Sequence, residues 1–311
     1  FFFLFFSDKN IDVFWLSSVG KPNVVFNNIG ILMVTLGLSQ IPLYLMDNGT
    51  DARRAGQVAY WVLSSFCLLS TYIFYRGFDG PVLSKPSVGK KDIKFLDLLT
   101  NGFMEAKNPR IMLAYIVSLT ARADLTLKGT YIALWAVQSG MTQGFSPAKA
   151  MQQAGFVFGF MMVIGIITHF SWGFFFDRVN RVTATAVSMF FGAAGYMSMY
   201  FVPSPLDFNY LPFFALLSIG SATSIAVSIG LSGQESSPQN RGSIMGMIGL
   251  FGAVGIMITQ FIGGRLFDAW GPSWPFIIVG IFQAFIMILA IIVRILAPGG
   301  REEKQKLAKN I

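Results

Sequence analysis

Cysteine, histidine and charge are all scarce in this 311-residue sequence, and each shortage closes off a class of chemistry. The one cysteine, Cys67, lies inside an apolar segment, so no internal disulfide can form and no metal cluster is expected. The one histidine, His169, excludes an HExxH zinc helix and any histidine-rich ligand set. No GxSxG elbow is present and no pair of aspartates lies within the apolar segments, so neither a serine hydrolase nor an intramembrane aspartyl enzyme is expected. The sequence reads as a non-enzyme without a cofactor. Charged residues amount to 12%, against roughly 25% in soluble domains, and hydrophobic residues to 54%. That balance describes a polytopic membrane protein. The net charge of +8 does not argue for a nucleic-acid partner, because the basic residues sit mainly in loops between apolar spans, as the positive-inside rule requires.

What the chain has instead is a succession of long apolar runs. A helix rises about 1.5 Å per residue and the hydrocarbon core is about 30 Å thick, so roughly 20 residues cross it. Eight segments meet that length, near residues 25–46, 57–75, 111–138, 151–175, 183–202, 211–232, 244–267 and 274–295. The opening FFFLFF is too short to cross and has no basic flank or cleavage site after it, so it reads as the end of a truncated span. Residues 81–110 form a basic linker. Within it Ile93, Phe95, Leu96, Leu99, Phe103 and Ala106 recur at helical spacing, predicting a short amphipathic helix, either on the membrane surface or as a solvated connector.

The expected fold is an all-α membrane protein with eight transmembrane helices: a C-terminal six-helix bundle over 111–298, preceded by two helices of a truncated N-terminal bundle within 1–80. Residues 299–311 form a charged tail. Placing the long loop in the cytoplasm puts most of the 23 basic residues on the inner side. A multi-pass protein of the cell membrane follows, with long loop and C-terminus cytoplasmic and the lipid bilayer as its solvent.

The segment 111–138, IMLAYIVSLTARADLTLKGTYIALWAVQ, is the exception among these spans, because Arg122, Asp124 and Lys128 fall near its middle. A charge at that depth costs at least about 2.5–3.5 kcal/mol, so it belongs in a protein interior or a watery cavity. At 100° per residue, Thr120, Asp124, Lys128, Tyr131, Trp135 and Gln138 share a narrow arc, the pattern of a solute pathway. The competing account is that Asp124 and Lys128, four residues apart, neutralise each other and anchor a neighbouring helix. Arg122 points to the other side.

Two loops carry a resemblance to a known family. The turn GFFFDRVNR, with Gly173, Asp177, Arg178 and Arg181, resembles the G-xxx-D-R-x-G-R-[RK] signature of the major facilitator superfamily, with Asn180 in place of the usual glycine and Val182 in place of its last basic residue. The stretch GQESSPQNRGS, with Glu235, Pro238, Arg241 and Gly242, resembles the E-xx-P-xx-RG loop before that family's eleventh span. A ladder of Gly242, Gly246, Gly249, Gly252 and Gly255 and the closing IGGRLFDAWGPSWPF continue the likeness. The resemblance implies that the spans here correspond to the family's fifth through twelfth, with the missing N-terminal helices of the same protein as partner. It implies a solute site between two six-helix halves. It further implies that Gly173, Asp177, Arg178, Arg181, Glu235 and Arg241 form a conformational latch. The seventh and tenth family spans line the cavity; here these are 111–138 and 211–232, the latter with Ser218, Ser221, Ser224 and Ser228 near one face. Those hydroxyls either face a polar solute or bond back to their own helix.

The functional expectation is a secondary active transporter for a small solute, proton-coupled through Asp124. Lys128, Arg122, Tyr131, Trp135, Gln138, Ser221 and Ser224 are the further substrate or coupling candidates. Lys128 and Arg122 tilt the solute toward an anion. A uniporter and a non-transporting membrane receptor are the alternatives. His169 is expected to bond a neighbouring helix rather than relay protons.

Overall fold

A computed structural model describes residues 40–77, 95–236 and 240–297, and among these no strand occurs. The opening apolar run, most of the expected first span, the lysine-rich part of the linker and the tail lie outside the described residues. Helices α1 (Gln40–Asp47) and α2 (Ala52–Gly77) form a hairpin. After α3 (Phe95–Glu105) comes a long helix in three parts: α4 (Pro109–Leu127), a π-helical turn (Lys128–Ile132) and α5 (Ala133–Thr142). The remaining helices are α6 (Pro147–Arg178), α7 (Arg181–Ser198), α8 (Leu211–Glu235), α9 (Arg241–Trp270) and α10 (Trp274–Leu296).

The starts of these helices are written locally. Asn108, Ser146 and Asn180 each turn a side-chain oxygen onto a backbone N–H of the first turn of α4, α6 and α7, at 3.0, 3.3 and 3.0 Å. Pro109 and Pro147 follow two of these caps, where a missing N–H costs nothing. Gly271, at φ +114°, makes the sharp reversal between α9 and α10 that a side chain would strain.

Five helical stretches are long and apolar enough to cross a membrane: Lys149–Phe176, Arg181–Phe201, Phe208–Glu235, Arg241–Trp270 and Trp274–Leu296. The expected spans over 57–75 and 111–138 are helical as well, as α2 and α4–α5, but fall outside that set. The chain is thus an all-helical, multi-pass membrane protein; five of the eight expected crossings meet the criterion among the described residues.

Helix α4 runs through the bundle, packed against α8, α9 and α10, while α7 lies against α8 and α10. Leu113, Val117, Met189, Leu231 and Ile286 fill the core toward the start of α4, and Tyr131, Ile132, Tyr196, Phe214 and Phe276 fill it toward the other end. Small residues set the closest approaches. A Cβ on Gly220 of α8 would overlap the Gly192 backbone of α7, and one on Gly255 of α9 would overlap the Leu119 carbonyl of α4. The rest of the expected glycine ladder behaves differently, since a Cβ on Gly242, Gly246 or Gly249 would meet nothing within 4 Å. Each step of three residues lags a full helical turn by about 60°, so the glycines wind around α9 and only the last two reach α4.

Helix α3 is docked on the bundle. Tyr115 Oη donates to the Gly102 carbonyl at 3.0 Å, and Asn240 Nδ2 donates to Glu105 Oε1 at 2.5 Å. Its inward face is Leu99, Gly102 and Ala106, so Phe103, expected on the same apolar stripe, is turned out and 54% exposed.

Candidate functional site

The π turn at Lys128–Ile132 decides the site's geometry. An i→i+5 turn is wider than an α turn, so side chains beyond it no longer sit where a 100° wheel puts them. The predicted stripe therefore divides among neighbours. Asp124 faces α10, where Gln283 Nε2 donates to Oδ1 at 3.1 Å and to Oδ2 at 3.2 Å. The Tyr196 hydroxyl on α7 is buried without a hydrogen-bond partner, and Ser224 on α8 donates back to the Gly220 carbonyl of its own helix. Asp124 is 1% exposed and Gln283 fully buried. Lys128 leans toward α8 instead, its Nζ donating to Ser221 Oγ at 2.5 Å. Tyr131 turns to α9, donating to the Gln260 carbonyl at 3.1 Å with its ring over Gly263.

Beyond the π turn, Trp135 is buried with its ring 6.2 Å from that of Phe276. Together with Gln138, Ser139, Thr142 and Ser273 it walls a polar cavity of about 270 Å³ at the end of the bundle away from Arg110. Thr120 lies on an apolar cavity of similar volume between α4, α9 and α10, lined by Ile258, Ile262, Val279 and Phe282. Arg122 is exposed on the opposite side of α4, its stem resting over Gly252.

The serines of α8 do both things open to them. Ser224 bonds back to the Gly220 carbonyl at 3.0 Å; Ser221 bonds back to Ser218 at 3.2 Å while accepting from Lys128. Ser228 instead crosses to the Ala114 carbonyl at 3.0 Å. His169 Nδ1 lies 2.6 Å from the Gly165 carbonyl of its own helix, and the ring also bonds to the Ala222 backbone of α8, so it joins α6 to α8.

At the other end, the charged loops gather on one face of the bundle. Arg110 pairs with Glu235 and reaches Asn180 Oδ1 at 3.3 Å, tying the start of α4 to the end of α8 and the cap of α7. Arg181 lies 4.8 Å over the Phe176 ring and beside Gly230. Gly173 is buried, Arg178 and Arg241 are exposed, and the Asp177 side chain lies outside what is described. Asn180, which departs from the family signature, both caps α7 and accepts from Arg110. Arg110, Gln283 and Tyr196 are the residues that sequence reasoning missed. A signal existed for one of them: Gln283 is an isolated amide in the otherwise apolar run IFQAFIMILAII.

No family model matches the chain. Two curated proteins of Paramagnetospirillum magneticum are similar to it. The magnetosome protein MamH is 29% identical over 184 residues, which make up 59% of this chain and 42% of MamH. The magnetosome protein MamZ is 26% identical over 185 residues, covering 59% of this chain and 28% of MamZ. The chain thus spans less than half the length of the curated relatives it matches. Among solved structures, the E. coli fucose:proton symporter FucP superposes with a TM-score of 0.58 at 16% identity, over 86% of this chain and 66% of that protein. The helical fold is shared with that symporter.

Proposed function

We propose that this chain is the C-terminal half, with part of the N-terminal half, of a secondary transporter of the major facilitator type. It moves a small solute by alternating access and couples that movement to protons through Asp124. The fold shared with a fucose:proton symporter supports a transporter. The observation that carries the coupling is the buried Asp124 one turn from Lys128, at a π turn whose side chains reach three other helices. An irregular turn beside a buried charge is a frequent functional signature in helices. In this reading α1–α2 belong to the N-terminal half and the protein crosses the membrane eight times within this chain. The face with Arg110, Asn180 and Glu235 is cytoplasmic and forms the latch. Arg122 and Lys128 favour an anionic solute. The names of the two relatives add the magnetosome to the cell membrane as a place to look for the protein.

The test is uptake into proteoliposomes from a panel of labelled anionic and neutral solutes. Asp124→Asn is expected to abolish accumulation driven by a proton gradient while leaving solute exchange intact. An Asp124→Asn protein that concentrates solute as the native one does would reject proton coupling at this residue and leave a uniporter. Absence of flux for the native protein across the panel would favour the receptor reading.

A further inference from the structure

We propose that Gln283 is the positioning residue that follows the protonation state of Asp124, its amide turning over between two hydrogen-bonded arrangements. The inference rests on the reading of Asp124 as the coupling carboxylate. An ionised carboxylate only accepts hydrogen bonds, and Gln283 Nε2 supplies a donor to both of its oxygens at 3.1 and 3.2 Å. The other end of the same amide, Oε1, is buried and has no hydrogen-bond partner. A carboxylic acid, by contrast, has an O–H to give, and Nε2 cannot accept it. Half a turn of the amide brings Oε1 onto the acid proton. The two ends of one side chain thus match the two states of the carboxyl group, and the idle acceptor has a use in the state not described.

Gly192 of α7 makes room for this movement, because a Cβ there would collide with the Gln283 amide. The groups around Asp124 do not duplicate the role. Lys128 on its own helix is directed at Ser221, and Arg122 lies across α4 over Gly252. Tyr196 of α7 has a buried hydroxyl without a hydrogen-bond partner, and the Ser224 hydroxyl of α8 is given to the Gly220 carbonyl, so the hydrogen bonds to the carboxylate come from Gln283. His169 of α6 bonds to the Gly165 carbonyl of its own helix. Gln283 is the group facing Asp124 that pairs a strong donor with a separate strong acceptor.

Infrared difference spectra of the purified protein in bilayers, recorded between acid and neutral pH with carbon-13 in the glutamine side-chain carbonyl, test this. Two signals are expected: a protonated-carboxyl band absent from Asp124→Asn, and a labelled amide band absent from both Gln283→Met and Asp124→Asn. A conservative check is Gly192→Ala, which crowds the amide without touching Asp124 and should reduce the amide band at least twofold while the carboxyl band stays. If the carboxyl band is present but the amide band is missing, or the amide band survives in Asp124→Asn, the role given to Gln283 is wrong. If no carboxyl band depends on Asp124, the coupling reading fails first. Circular dichroism of each variant separates these outcomes from misfolding.

Discussion

The Arg110–Glu235 pair offers a sharp quantitative test of how the bundle is held at its charged end. The Arg110 side chain is 5% exposed and that of Glu235 17%, so both charges are largely withdrawn from water. Removing one member of a buried pair strands the other, at a cost of about 3–5 kcal/mol. For Glu235→Gln the stranded group is the more buried guanidinium, which keeps Asn180 Oδ1 at 3.3 Å, so the expected loss is about 3 kcal/mol. For Arg110→Met the stranded carboxylate still touches solvent, so the loss is smaller, about 2 kcal/mol. The double variant removes both charges and both desolvation penalties, and is expected within about 1 kcal/mol of the native protein. The cycle thus carries a coupling of about 5 kcal/mol. Equilibrium unfolding of the four proteins in one mixed micelle measures it. Two single losses that simply add in the double variant would show that the residues do not act as a pair, and the reasoning about this end of the bundle would fail.

Other perturbations address separate contacts. Tyr115→Phe deletes the hydrogen bond to the Gly102 carbonyl and should cost about 1 kcal/mol, read as faster deuterium uptake in α3 with the rest of the bundle unchanged. Gly220→Val places a side chain into the Gly192 backbone and should cost at least about 1–3 kcal/mol by overpacking, measured as a lower thermal midpoint. Lys128→Met removes the donor to Ser221 and, under the transport reading, should weaken uptake of an anionic solute tenfold or more while leaving a neutral one within twofold; equal effects on both would remove the case for an anion.

The arrangement of helices was readable because each depends on a one-dimensional signal. Span lengths follow from runs of apolar residues, and five of them are helices long and apolar enough to cross a membrane among the described residues. The packing of α3 was less readable: a stripe drawn through Leu99, Phe103 and Ala106 assumes that the largest apolar side chain is the buried one. The bundle instead receives Gly102, because backbone proximity to Tyr115 and Met247 needs the smallest residue there. Phe103 lies to the side of that contact, its ring 6.5 Å from that of Phe251.

The site was legible in its identities and illegible in its directions. Composition alone marked Asp124 and Lys128, since charges in an apolar span are expensive wherever they point. Their partners depend on where a π turn falls, and a run such as LKGTYI carries no residue that commits the helix to one; Gly129 within it packs against nothing. One such turn is enough to send Tyr131 to α9, while Asp124 and Lys128, ahead of it, meet α10 and α8. The charge pair four residues apart does not close on itself, although the backbone between its members is a regular α turn. Lys128 aims at Ser221, and Asp124 takes its hydrogen bonds from Gln283. A carboxylate held by a neutral amide takes up a proton more readily than one locked in an ion pair, whose buried cation would be left uncompensated. On this argument, restoring a regular α turn by deleting Gly129 should take Tyr131 off the Gln260 carbonyl and lower the thermal midpoint, while Asp124 keeps its bonds to Gln283.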